Sequence, residues 1–237
     1  MSYVNVRRDG VVALITLDRD EKLNAISTEV ERELSGVLAS DEVRASRAIV
    51  ISGAGRAFSA GADTTEFADR DPEAILRYYR ETGNVYEEFA ALPQPTLAAI
   101  HGYCLGGGLE LALAADFRIA DATALLGFPE VGIGILPSSG GTVRATRVVG
   151  PARARELILL GDRVTATDAR AIGLVTEVVD DAPTRALELA RRLAELSPAA
   201  VAVAKAAIDA ATESSRDVAL MIERLGYAVL SQIPPPA

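Results

Sequence analysis

The sequence predicts a mixed α/β fold, and three observations support that class. Short β-branched runs such as Val11–Leu17 alternate with segments of helical periodicity up to about residue 180. The Ala48–Ser52 run is almost wholly apolar, which is typical of a strand in a sheet covered on both faces. Beyond residue 180 only helical patterns remain. We therefore expect a strand-and-helix core over residues 1–180 and a helical region over residues 181–237.

The chain begins with a predicted hairpin and helix. Asp9-Gly10 is a turn signal, so Tyr3–Val6 and Val11–Leu17 are expected to pair. Thr28 has a glutamate three residues on, Glu31, a spacing that indicates a capping box at a helix start. The apolar face of this helix is formed by residues at helical spacing: Val30, Leu34, Val37 and Leu38.

Proline and glycine residues mark most of the remaining elements. Asp71-Pro72 starts a long helix that is bent or broken near Gly83. The later predicted segments are strand Thr96–Ile100, helix Leu109–Ala114, strand Phe117–Ala120, a helix from Pro151 to Gly161, one closed by Gly173, and helices Ala182–Leu196, Pro198–Ala211 and about Arg216 to Leu230. The terminal helices are either a docking or trimerisation element or a simple cap on the core.

Composition excludes several classes of function. Lysine and arginine total 24 against 33 aspartates and glutamates, a net charge of -9, which disfavours nucleic-acid and anionic-membrane partners. A single histidine excludes an HExxH zinc site, and we expect no metal. A single cysteine cannot form an internal disulfide. No signal peptide and no apolar run long enough to span a bilayer are present, so we expect a cytoplasmic protein.

Two glycine-containing turns offer free backbone N–H groups. Arg56–Asp63 follows a buried strand, and its small residues let a ligand approach the backbone, although a tight strand-to-helix turn explains this segment better when it is taken alone. Gly106–Gly108 enters a helix, where free N–H groups and the helix dipole suit a phosphate or an oxyanion. It matches neither the dinucleotide-binding fingerprint nor a P-loop, so a nicotinamide-dependent oxidoreductase remains only a weak alternative.

Two glutamates stand in apolar surroundings. Glu110 lies in the first helical turn after the glycine triplet, where it either compensates the helix dipole or acts as a catalytic acid or base. Glu130 is the only ionisable residue between Asp121 and Arg144, and burial would raise its pKa, although a loop glutamate exposed to solvent is the alternative. The spacing allows a short chain return that brings Glu130 near Glu110. His101 and Cys104 are interpreted as packing residues.

Six segments, taken together, resemble the enoyl-CoA hydratase/isomerase (crotonase) superfamily over nearly the whole chain. They are Asp18–Ile26, Phe58–Asp63, Gly102–Glu110, Phe128–Glu130, Leu136–Arg144 and Ala166–Val175. The resemblance implies a crotonase-like spiral of repeated strand–strand–helix units, followed by C-terminal helices that mediate trimerisation. It also implies a homotrimer or a hexamer made of two trimers.

The resemblance implies an acyl-CoA thioester substrate and no cofactor beyond the CoA that is part of it. The N–H groups of Ala62 and Gly107 would form the oxyanion hole. Glu110 would act mainly as base toward water, and Glu130 as the acid that protonates the α carbon. The implied CoA-binding residues are Lys22, Ala25, Arg56, Ala60 and Asp63.

Because both glutamates of the hydratase pair are present, we expect addition of water across a 2-enoyl-CoA. The alternatives are an enoyl-CoA isomerase, a hydratase of a specialised acyl chain and a non-catalytic acyl-CoA-binding protein. Polypeptides of the family usually extend some 20 residues further. We therefore expect altered CoA affinity, altered contacts between subunits and an altered preference for the length of the acyl group. Ser138-Ser139 stands where many members have glycine-containing pairs, which is expected to alter the acyl pocket.

Overall fold

The computed structural model describes residues 2–66, 71–81 and 84–233. Its strands are β1 (Val4–Asp9), β2 (Val12–Leu17), β3 (Ala48–Gly53), β4 (Ala57–Ser59), β5 (Thr96–Ile100), β6 (Tyr103–Leu105), β7 (Phe117–Asp121), β8 (Leu125–Gly127), β9 (Val164–Thr165) and β10 (Glu177–Val179). Its α-helices are α1 (Thr28–Leu38), α2 (Asp41–Arg44), α3 (Pro72–Glu81), α4 (Val85–Ala90), α5 (Gly107–Ala114), α6 (Gly141–Arg155), α7 (Ala166–Ala171), α8 (Ala182–Ala194), α9 (Pro198–Glu213) and α10 (Arg216–Leu230).

The larger sheet has the order β1-β2-β3-β5-β7-β10 and is covered on both faces, as the apolar runs predict. The β1–β2 hairpin is antiparallel, and every other neighbouring pair in this sheet is parallel. Along β3, Ile49 and Ile51 face one buried core, whereas Ala48 and Val50 face a second core to which α8 contributes. The predicted hairpin of Tyr3–Val6 with Val11–Leu17 and the predicted strands Ala48–Ser52 and Thr96–Ile100 are therefore confirmed.

A smaller sheet, ordered β4-β6-β8-β9, lies beside the first and positions the site. Strands β4, β6 and β8 are parallel, whereas β9 is antiparallel to β8. Each of β3, β5 and β7 in the larger sheet is followed by a short strand of the smaller sheet and then by a helix. This repeat of strand, strand and helix is the spiral that the crotonase resemblance implies.

The start of α1 corrects one expectation. Ser27, not Thr28, caps α1, because its backbone is extended and its Oγ accepts the N–H of Val30 at 3.3 Å. Thr28 is already helical, and its N–H and hydroxyl donate to Glu66 Oε2 at 2.9 and 2.7 Å. The expected capping box of Thr28 and Glu31 is therefore wrong, because the residue three positions after the cap is Val30, which has no carboxylate.

The helix expected from Pro72, with a bend or break near Gly83, is two helices, α3 and α4, and the side chain of Asn84 caps the second. Gly83 itself lies outside the described residues. The helix expected from Pro151 to Gly161 is confirmed, because Gly150, with a φ of 76°, interrupts the helical backbone before Pro151, and a π-helical segment over Glu156–Leu160 continues to Gly161. The helical part of α6 before Gly150 was not predicted, because Gly140-Gly141 looks like a turn in the sequence.

The three terminal helices differ in how they meet the body. Helix α8 buries alanines and Leu189 against the larger sheet, whereas α9 and α10 pack on each other and bury no residue fully. Lys205 fastens α9 to the body by contacts of 2.7 Å to Asp116 and 2.8 Å to the Gln94 carbonyl. Among the described residues, none of the helices has the length and apolar character needed to cross a membrane.

Candidate active site

Two turns at the same edge of the smaller sheet bring together the backbone of two distant segments. Strands β4 and β6 are parallel neighbours, so the chain after Ser59 and the chain after Leu105 leave the sheet side by side. Gly61 has a φ of 104°, and a Cβ there would lie 2.9 Å from the Leu105 carbonyl oxygen. Only glycine permits both that backbone conformation and that close approach.

The N–H groups of Ala62 and Gly107 border one small space. Gly107 is the first residue of α5, so its N–H has no partner within the helix. In the described part of the chain no acceptor takes either N–H. A Cβ added at Gly107 would lie 3.4 Å from the Ala62 nitrogen and 3.1 Å from the Tyr86 hydroxyl oxygen. The arrangement suits an oxygen atom that gains negative charge.

Backbone hydrogen bonds fix the Ala62 peptide. The N–H of Ile26 donates to the Gly61 carbonyl at 2.8 Å, and the N–H of Asp63 donates to the Ile26 carbonyl at 2.8 Å. Ile26 and Ala62 thereby form a parallel bridge. Backbone hydrogen bonds thus hold the Ala62 N–H in place without a ligand.

Glu110 projects from the first turn of α5 and is held from the opposite side by the start of α6. It is 4% exposed, and its Oε1 accepts the N–H groups of Ser139 at 2.7 Å and Gly141 at 2.8 Å. Burial raises the pKa of Glu110, whereas the two N–H donors and the nearby Arg144 charge oppose that rise. The donors favour the ionised carboxylate.

Glu130 begins the 3₁₀ turn Glu130–Ile133 and is 8% exposed. A Cβ added at Gly106 would lie 2.9 Å from its Oε1, which places the carboxyl group beside the glycine turn. Its Oε2 has no hydrogen-bond partner among the described residues. Burial raises the pKa of Glu130 to about 7, and the charge of Glu110 adds to the rise. The two glutamates are therefore neighbours, and Glu130 is the one that readily holds a proton.

The five residues expected at the CoA end lie on two adjoining segments: the loop after β2 carries Lys22 and Ala25, and the residues on either side of β4 include Arg56, Ala60 and Asp63. Ala60 donates its N–H to the Leu23 carbonyl at 2.9 Å, which joins the Lys22–Ala25 loop to the turn before Ala62. Arg56 is 72% exposed and pairs with Asp20, which partly offsets its charge. Lys22 is exposed and Ala25 is half-buried.

The Asp63 side chain is committed to the fold. Its Oδ2 accepts Arg19 Nη1 at 2.8 Å, and its Oδ1 accepts the Thr65 hydroxyl at 2.6 Å. The Thr65 hydrogen bond is the main cause of its lowered pKa, and the Arg19 contact lowers it further. The same Arg19 nitrogen donates to the Ala25 carbonyl at 3.1 Å. Both carboxylate oxygens of Asp63 are therefore engaged within the protein.

His101 and Cys104 occupy structural positions. His101 Nε2 lies 3.1 Å from the Gly55 carbonyl oxygen. Cys104 is fully buried in β6, and burial raises the pKa of its thiol strongly. These contacts agree with the packing role expected for both residues.

Three neighbours of the site were not singled out in the sequence: Tyr86, Arg144 and Arg19. The structure places the hydroxyl of Tyr86 beside Gly107. Ser139 was singled out only as part of the Ser138-Ser139 pair, and Arg144 only as the end of the Leu136–Arg144 segment that carries the resemblance. Their contacts depend on chain segments that meet only in the fold.

Comparison with known proteins agrees with this geometry. The family described as Enoyl-CoA hydratase/isomerase matches residues 7–228. A short-chain-enoyl-CoA hydratase of Clostridium acetobutylicum is 34% identical over 94% of this chain and 87% of its own length. A probable enoyl-CoA hydratase of Rhizobium meliloti is 41% identical over 94% of this chain and 88% of its own.

Solved structures give the same relationship. An enoyl-CoA hydratase from Thermoplasma volcanium superposes with a TM-score of 0.93 at 35% identity, over 99% of this chain and 94% of its own. An enoyl-CoA hydratase from Bacillus anthracis gives a TM-score of 0.90 at 36% identity, over 98% and 92%. The chain belongs to the enoyl-CoA hydratase/isomerase family.

Proposed function

We propose that the protein is an enoyl-CoA hydratase that adds water syn across the double bond of a 2-enoyl-CoA thioester. One observation carries the assignment. Two neighbouring buried carboxyl groups, both with a raised pKa, lie beside a turn that offers free N–H groups, and only Glu110 accepts two backbone N–H donors. Such a pair supplies the base and the acid that hydration needs, and the N–H groups supply the site for the developing charge.

In the proposed reaction the thioester oxygen accepts hydrogen bonds from Ala62 and Gly107. The Glu110 carboxylate takes a proton from water while the water oxygen forms a bond to C3 of the acyl chain. The electron pair of the double bond moves toward the thioester oxygen, giving an enolate. The Glu130 carboxylic acid then transfers its proton to C2, and the product is a 3-hydroxyacyl-CoA. Exchange of one proton from Glu110 to Glu130 through solvent restores the starting state.

The CoA portion is proposed to lie along the two adjoining segments that carry Lys22, Ala25, Arg56, Ala60 and Asp63. Exposed Lys22 and Arg56 supply positive charge for phosphates on a chain whose net charge is -9. The backbone near Ala25, Ala60 and Asp63 supplies polar groups for the adenine. No separate cofactor takes part in this scheme, since the CoA is part of the substrate.

The same proposal includes an oligomeric state and a metabolic role. We infer a homotrimer, or a hexamer of two trimers, formed through the helical region. Apolar residues exposed on α10 support this assembly: Met221, Leu225, Tyr227 and Val229. The proposed role is a hydration step of fatty acid β-oxidation in the cytoplasm.

The direct test is a panel of enoyl-CoA esters with identification of the products. With crotonyl-CoA we expect loss of the absorbance of the conjugated thioester and formation of 3-hydroxybutyryl-CoA. Conversion of a 3-enoyl-CoA to its 2-enoyl isomer without hydration would indicate an isomerase instead. Binding of the esters by calorimetry with no turnover across the panel would indicate a binding protein and contradict the assignment.

A further inference from the structure

Arg144 lies in the first turn of α6, directly behind the segment that holds Glu110. Its guanidinium is largely buried, with 12% of the side chain exposed. Nη1 donates to the Ser139 carbonyl oxygen at 2.9 Å, and Nη2 pairs with Glu87 on α4. One side chain therefore connects the turn that contacts Glu110 to the helix that carries Tyr86.

The chain wraps closely around this guanidinium. Gly140 has a φ of 101°, and a Cβ there would overlap Arg144 Nη1. The two residues on either side of Gly140, Ser139 and Gly141, provide the N–H groups that bind Glu110 Oε1. The direction of both donors thus depends on a backbone bend whose inner side is filled by Arg144.

The charge of Arg144, like the N–H groups that it positions, favours the ionised form of Glu110. The positive charge of Arg144 lowers the pKa of Glu110 and so favours the carboxylate, against burial and the negative charge of Glu31 on α1, which both raise that pKa. Glu130, on the turn after β8, is the further titratable group that faces Glu110.

We propose that Arg144 is a positioning residue that holds the Ser139–Gly141 turn so that both N–H groups keep Glu110 oriented and ionised. It touches no reacting atom and acts only through Glu110. The catalytic consequence rests on the proposed hydratase function, whereas the effect on the Glu110 carboxyl group does not.

The test compares Arg144→Gln and Arg144→Lys with a matched control, Arg147→Gln. Arg147 lies one turn further along α6 and pairs with Glu213 on α9. For Arg144→Gln we expect kcat to fall by about 10²-fold with KM changed by less than about 2-fold, because a misplaced base slows the chemical step without removing substrate contacts. The acidic limb of kcat/KM against pH should move to higher pH, because Glu110 then loses a stabilising charge.

Arg144→Lys keeps the charge but offers a single ammonium in place of the planar fork. We expect a loss of kcat with a smaller shift of the acidic limb, and this variant carries the test if the glutamine variant does not fold. Values of kcat and an acidic limb equal to those of Arg147→Gln, in either variant that folds, would overturn the proposal.

A readout independent of turnover separates this proposal from the hydratase assignment. The Glu110 carboxyl carbon can be titrated by ¹³C NMR and identified by its loss in Glu110→Gln. We expect a higher pKa for Glu110 in Arg144→Gln than in wild type and in Arg147→Gln. If the wild-type protein hydrates no enoyl-CoA but the pKa moves, the function fails and the positioning role stands. An unmoved pKa would refute the positioning role itself.

Discussion

The regions around Glu110 and Glu130 differ although both side chains are buried. Glu110 faces a turn that directs two N–H groups at one carboxylate oxygen, with Arg144 behind it. Glu130 sits on a short turn where one of its oxygens has no partner within the described residues. Burial alone would favour the neutral form of both. The number of N–H donors therefore distinguishes the two carboxyl groups, which is why we propose Glu110 as the base and Glu130 as the acid.

The glycines near the two carboxylates differ in the space beside them. A Cβ at Gly141 would lie 2.8 Å from Glu110 Oε1, and a Cβ at Gly106 would lie 2.9 Å from Glu130 Oε1. A Cβ at Gly132, further along the turn that carries Glu130, would meet nothing within 4 Å. Each carboxylate is therefore closely packed against a glycine, whereas Gly132 faces open space.

Replacing the base is expected to have the largest effect. In Glu110→Gln the amide oxygen still accepts N–H groups, but it cannot take a proton from water. Hydration of crotonyl-CoA should slow by about 10³–10⁴-fold. The control is an unchanged thermal unfolding profile, and a rate within tenfold of wild type would contradict the role of Glu110 as base.

Glu130→Gln should slow hydration by about 10²–10³-fold, because the amide cannot protonate C2. It should also raise the Tm at pH 8. The pKa of Glu130 is raised from 4.5 to about 7 in the fold, so the folded state loses stability as the pH rises between these values, and the loss is complete above pH 7. Below pH 4 wild type and variant should unfold alike, since the carboxyl group is neutral in both folded and unfolded chains.

Gly141→Ala should lower kcat by about 10–10²-fold, because the added methyl group displaces the Glu110 carboxylate. Gly132→Ala is the matched control and should stay within about 2-fold of wild type, because its methyl group enters open space. Equal rates in the two variants would show that the packing around Glu110 has no part in catalysis.

The smallest expected effect is the pH dependence of the unmodified protein. For hydration, kcat/KM should fall about tenfold per unit as pH rises well above 7, because Glu130 loses the proton that it must deliver. The same descending limb should be absent from the residual activity of Glu130→Gln. A limb that persists unchanged in that variant would assign the titration to another group.

Most of the larger sheet could be predicted from the sequence because its strands are five or six residues long in β2, β3 and β5, enough for an apolar run to stand out. Its last strand, β10, has three residues and was not predicted. The smaller sheet could not. Its strands β4 and β9 have three and two residues, and no alternation can show over so short a span. They pair because glycine turns let neighbouring segments approach, and only the family resemblance implied them.

The two glutamates were identifiable because an ionisable residue in an apolar run is unusual. The groups that give the two glutamates different hydrogen-bond partners were not identifiable from the sequence. Arg144 lies in a helix with several arginines, and its contacts with Ser139 and Glu87 exist only because α6 and α4 meet in space. The shift of the first helix cap from Thr28 to Ser27 has a similar cause, since both hydroxyls are competent caps and the backbone decides between them.

Cys104 gives a chemical reporter of the intact site. It is the only cysteine, it is fully buried, and it lies in register between Ser59 on β4 and Leu126 on β8. A thiol reagent can modify it only when the smaller sheet opens, and its raised pKa leaves little reactive thiolate at neutral pH. Labelling rates therefore measure, at this one position, how often the strands that precede the two N–H donors separate in any variant that loses activity.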